Sequence, residues 1–145
     1  MADPLQYWTP EFTDVYIAEL NRDPDFQKAS RKFSGVLVMR ALDAPEGKDV
    51  EARYHVDRGR VTVETDRQDA PSTDIRNRVF DKSRMFARTT APYPMWCKLD
   101  RGDMNVVQAI VHPDYKVEGP KLKIVANMAM LNAMAAVAKR LPKKY

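Results

Sequence analysis

Two histidines and one cysteine, His55, His112 and Cys97, are all the imidazole and thiol chemistry this 145-residue chain carries. That is too little to assemble a His/Cys zinc site. A Cys97/His112 dyad would need only spatial proximity, and a thiolate beside an imidazole is a nucleophile. Cys97, however, follows Trp96 in an amphipathic pattern, where a cysteine packs as a small apolar residue. His55 falls on the polar phase of a strand pattern, and His112 precedes Pro113 in a turn. Asp100, Arg101 and Asp103 around Gly102 read as a solvated turn. GxGxxG, GxxxxGK[ST] and GxSxG patterns are absent, so dinucleotide, phosphate-loop and serine-hydrolase chemistry have no motif to rest on. A small enzyme using Cys97 or His112 predicts a thiol of lowered pKa that reacts fast with iodoacetamide.

The chain's most unusual chemistry is apolar. Residues 124–138 read IVANMAMLNAMAAVA, with Asn127 and Asn132 as the only polar side chains. On one helix those asparagines stand about 140° apart, so they make no single polar face. A helix over residues 119–141 therefore needs more cover than one sheet face gives. The candidates are a partner chain, a membrane or a ligand inside the fold. A membrane span is excluded by length, since crossing takes about 20 apolar residues and lysines close both ends of this run. No secretory signal precedes the first element, and one cysteine fits a reducing compartment. The expectation is a soluble, cytoplasmic protein.

The net charge of +4 arises from 24 basic and 20 acidic residues scattered through the sequence. Only Lys139, Arg140, Lys143 and Lys144 cluster. They complement a helix C-terminal dipole, and such a tail can touch anionic head groups transiently. No nucleic-acid-binding signature is present, and no nucleic-acid partner is expected. With 44% hydrophobic and 30% charged residues, the chain reads as one globular domain, residues 1–145.

These residues need elements to position them. Thr9 caps a first helix over 10–21 with Pro10 at its first position. A second short helix starts at Asp23-Pro24 and ends near Lys32. Val36 to Met39 form a strand. Val50, Ala52, Tyr54 and Val56 alternate with Glu51, Arg53, His55 and Asp57 as a half-buried strand. Arg58-Gly59 turns it into a partner over 61–65. Residues 66–77 are polar, with a cap signal from Ser72 to Asp74, and their shape stays open. A strand over 85–90 precedes two short helices separated by Gly102. A last strand at 115–118 leads to Gly119 as N-cap and Pro120 as first residue of the apolar helix. The total is an α+β domain of about five strands with helices at both ends.

The residues from Thr89 to Leu141 carry a resemblance. Thr89-Thr90 in a strand, Tyr93 and Trp96 on a short helix, and Gly102 come first. Ala109-Ile110 on a second helix, Tyr115 to Gly119 and the apolar helix from Lys121 follow. This order and spacing resembles the C-terminal part of the sterol carrier protein 2 family, and the upstream order is compatible with it. His112-Pro113-Asp114 replaces the family's Gly-Lys turn, and residues 66–78 look like an insertion. The resemblance implies a five-stranded sheet packed with helices around an apolar tunnel. It also implies non-catalytic binding or transfer of a fatty acid, fatty acyl-CoA, phospholipid or sterol-like lipid, with no cofactor or metal.

Under that resemblance the lining is Phe86, Trp96, Val106, Ile110, Met128, Leu131 and Met134, with Met39, Tyr54 and Val56 contributing from the sheet. Met128, Met130 and Met134 suit ligands of varied shape, or else fill an irregular core. Trp96 is either a gate or a buried anchor for its helix. The competing reading is an interaction module that buries its apolar C-terminal helix in a homodimer, broken by Met130→Lys. The two can coexist.

Overall fold

A computed structural model describes residues 4–145. Its centre is a five-stranded mixed sheet in the order β4-β3-β2-β5-β6. The strands are β2 (Ser34–Ala44), β3 (Lys48–Asp57), β4 (Arg60–Asp69), β5 (Ala87–Pro92) and β6 (Lys116–Glu118). β2, β3 and β4 form an antiparallel meander, β5 lies parallel to β2, and β6 closes the far edge antiparallel to β5. The β3–β4 turn is two residues long, with Arg58 at φ 49° and Gly59 at φ 92°. That conformation matches the twist of the strands it joins.

Alternation along β3 sends Val50, Ala52, Tyr54 and Val56 to one face. Helices α1 (Pro10–Leu20), α2 (Pro24–Ser30), α4 (Tyr93–Arg101) and α7 (Met128–Arg140) cover that face. Thr9 and Asp23 cap α1 and α2 as their sequences predict, each side chain accepting from the amide three residues on. Tyr7, Trp8, Phe12, Tyr16 and Tyr54 pack ring against ring between sheet and helices. The Tyr16 hydroxyl, buried beside α7, donates to the Met134 carbonyl at 2.9 Å.

The opposite sheet face is not the solvated surface that alternation predicts. β4 runs on to Asp69, and the polar stretch then returns as α3 (Thr73–Asn77), capped by Ser72. Ile75 is buried there, and Arg76 and Arg78 reach over the sheet. Glu51, expected in water, is buried and accepts from Arg53 at 2.7 Å and Arg78 at 2.8 Å. Arg40, also buried, has its Nε 3.8 Å from Glu51. Asp49 accepts from the amides of Asp43 and Ser72 and from Arg76.

The C-terminal apolar run is two helices, not one. α6 (Lys121–Ala126) ends at Asn127, whose φ of −108° and ψ of 19° break the helix before α7 begins. Asn127 bonds back to the Lys123 carbonyl through its side chain, a local alternative that asparagine offers the backbone. Pro120, not Gly119, is the N-cap of α6.

Two-residue strands β1 (Leu5–Gln6) and β7 (Lys143–Lys144) pair in parallel and join the ends of the described chain. The turn expected to be solvated contributes to this junction. Asp100 is buried and accepts from Lys143 Nζ at 2.7 Å and from the Tyr145 hydroxyl at 2.5 Å. Lys143 is therefore not part of a free basic tail, and Arg140 is held by Asp23 at 2.9 Å.

Candidate apolar binding site

The C-terminal third of the fold combines a well-covered helix with a poorly covered one. In α7, Met130, Ala133, Met134, Val137 and Ala138 are buried against α1, α2 and α4. The apolar excess of this helix is thus largely taken up by the N-terminal helices. α6 buries none of its six residues. Leu122 is 86% exposed and Val125 65%. In α5 (Val106–Ile110), only Ala109 is buried, although an Asn105–Gln108 capping box fixes its start.

The residues selected from sequence fall into three groups. Met128, Leu131 and Met134 lie along α7, passing from the exposed start of the helix through a half-buried position to the core. Phe86 is half-buried and packs edge-on against Phe33 with centroids 5.0 Å apart. Trp96 lies 5.2 Å from Trp8 and donates from its indole nitrogen to the Arg40 carbonyl at 2.9 Å, the arrangement of an anchor. Val106 and Ile110 project from α5 into solvent. Of the sheet residues, Tyr54 and Val56 are buried and Met39 packs against the core.

One cleft of about 550 Å³ opens beside α6. It is lined by Phe80, Lys82, Met85, Phe86, Gly119, Pro120 and Lys123. A second, about 510 Å³, lies near the chain ends between Gln6, Asp43, Tyr93, Cys97, Arg101 and Tyr145. Both are open to solvent, and only Phe86 of the seven selected residues lines either one. Phe80 follows a polar stretch without strand or helix periodicity, so nothing in the sequence marks it as lining, and Met85, expected in a strand over 85–90, precedes β5, which begins at Ala87. Phe80 lies under the Arg88 guanidinium at 5.8 Å. Arg88 itself grips Glu118 of β6 at 2.9 and 3.1 Å, which ties the edge strand to the sheet.

Gly119 makes this corner. Its φ is 138°, and a Cβ there would fall 2.7 Å from the Phe86 carbonyl oxygen. Only glycine permits so close an approach between the strand end and the cleft wall.

Nucleophilic chemistry finds little support. Cys97 is buried, and burial pushes its thiol above the ordinary value despite a hydrogen bond with Tyr93 and the nearby Arg101. His112 Nδ1 is engaged by the Asp114 amide at 3.1 Å, and His55 Nε2 lies 2.6 Å from Glu64. Among the described residues, no three His, Cys, Asp or Glu are placed to hold a metal ion.

No protein-family model matches the chain, and no curated protein sequence does. Solved structures do match. A crystal structure of sterol carrier protein 2 superposes with a TM-score of 0.71 at 14% identity, over 94% of this chain and 99% of that one. A conserved protein of Thermus thermophilus, described as possibly a sterol carrier protein, gives 0.69 at 13% identity, over 99% and 94%. Apo sterol carrier protein 2 from Yarrowia lipolytica gives 0.56 at 16% identity, over 91% and 96%. The chain has the sterol carrier protein 2 fold.

Proposed function

We propose that this protein binds a lipid and transfers it without catalysis, holding the apolar part of the ligand in a tunnel between the sheet and the C-terminal helices. One observation carries the reading. On the fold of the sterol carrier proteins, α6 has no fully buried residue and meets the core only through half-buried Ile124, yet it stands beside the cleft of Phe80, Met85 and Phe86 and leads into the Met128–Leu131–Met134 stripe of α7. A segment so weakly packed can shift at small cost and admit an acyl chain along that stripe. Each methylene moved out of water contributes roughly 0.8 kcal/mol, so binding needs few directed polar contacts. Specificity then follows tunnel length and shape, which suits fatty acids, fatty acyl-CoA, phospholipids or sterol-like molecules alike. The proposed setting is the cytoplasm.

Mass spectrometry of solvent-extracted protein should find co-purified lipid, and a fluorescent fatty acid should bind saturably and be displaced by unlabelled lipid. Leu131→Asp should weaken that binding at least about tenfold, because a carboxylate on the stripe must be desolvated with the guest. Delipidated protein that takes up no apolar ligand would remove the reading. For the competing dimerisation module, the uncovered part of the C-terminal run is α6, since Met130 of α7 is enclosed by the protein's own helices.

A further inference from the structure

Between residues 106 and 128, eight large aliphatic side chains remain exposed to water. Val106, Val107, Ile110 and Val111 recur at helical spacing along α5 and its cap. Val117 sits on the edge strand, and Leu122, Val125 and Met128 follow along α6 and into α7. Surface aliphatics are ordinary when scattered, but a run of this density marks a surface that meets something apolar.

The charges on the same segment identify the occupant. Two of its acids are answered locally, Glu118 by Arg88 and Asp103, just before it, by Arg101, and the third, Asp114, is exposed beside His112. Lys116, Lys121 and Lys123 have no ion-pair partner among the described residues and are exposed. The segment therefore presents aliphatic groups with uncompensated cations between them. A second copy of this chain is a poor fit, because a two-fold contact sets each patch against itself and brings the lysines toward their own counterparts. A bilayer surface rich in anionic lipid satisfies both components, with lysines at the head groups and short aliphatic side chains just beneath.

We propose that α5, β6 and α6 form a docking face for an anionic membrane surface, distinct from the basic C-terminal tail. Lys123 and Pro120 belong both to this face and to the wall of the 550 Å³ cleft. Docking thus places the cleft mouth at the head-group layer, where a lipid passes between bilayer and protein without crossing water. That last step rests on the lipid-binding reading; docking itself does not.

The test is co-sedimentation with vesicles of phosphatidylcholine alone or mixed with phosphatidylglycerol. The protein should bind the mixed vesicles, less so as salt rises, and the neutral ones weakly. Lys121→Gln and Lys123→Gln should each lower binding about fivefold, and the double variant Leu122→Ser/Val125→Ser should lower it further. These side chains are exposed, so circular dichroism and the thermal midpoint should not change. Lys139→Gln/Lys144→Gln in the tail should bind as the parent does. Failure to bind mixed vesicles, indifference to the α6 variants, or loss only in the tail variant would each overturn the proposal. So would a dimer by ultracentrifugation that Leu122→Ser/Val125→Ser dissolves without any vesicle binding. A fluorescent fatty acid titrated in parallel separates the two readings. Uptake without docking refutes the docking face alone, and docking without uptake supports it while removing lipid carriage.

Discussion

Single residues show where polar groups and water part company in this molecule. Burial raises the Asp49 carboxyl, but hydrogen bonds from Arg76 and from the Ser72 and Asp43 amides outweigh it and hold the group below its ordinary value. Arg78 and Gln68 hold the neighbouring Asp74 at about 2. Folded-state values depressed in this way stabilise the fold above the unfolded carboxylate range and are lost as pH falls through them. Urea-unfolding stability should therefore decline as pH drops from about 4 toward 2, and Asp49→Asn should flatten part of that decline. Cys97 makes a second case. Its buried, upshifted thiol should react with iodoacetamide far more slowly in the native protein than after denaturation, as timed by mass spectrometry. Neither Glu51 nor Asp100 was legible as buried. Their partners, Arg78 and Lys143, lie 27 and 43 residues away. Period-two or turn patterns register only near neighbours, so a charge covered from a distance reads as solvated.

At the scale of elements, the capped helices, the β3–β4 hairpin and the alternating strands were readable because their signals are local. The division of the apolar run at Asn127 was not, since asparagine is tolerated within helices and only its backbone bonding here marks a break. Nor could the sequence say which methionines are enclosed, as α1 and α2 reach α7 across the whole chain. Met130→Lys should therefore unfold or severely destabilise the monomer, by more than about 3 kcal/mol in denaturant titration, rather than merely dissociate a dimer. Gly119→Ala should cost about 2 kcal/mol or more, through positive φ and the clash with Phe86. Hydrogen exchange should show that cost concentrated in β6 and α6.

For the molecule as a whole, the α+β class and about five strands followed from the order of patterns, and the resemblance carried by Thr89 to Leu141 implied the five-stranded sheet and led to the right fold. The residues selected for the lining do not fall together. Phe86, Leu131 and Met134 sit where sheet and C-terminal helices converge, whereas Val106 and Ile110 face outward on a segment whose exposure no periodicity announces. The parallel β1–β7 pairing has a further corollary. With Leu5 opposite Lys143, the described residues from β1 to β7 trace a nearly closed loop, and the sheet order does not depend on where such a loop is cut. A short bridge across this seam, with fresh termini opened in the exposed β2–β3 turn, would leave the sheet order intact and turn the Asp100–Lys143 clasp from a terminal fastening into an interior one.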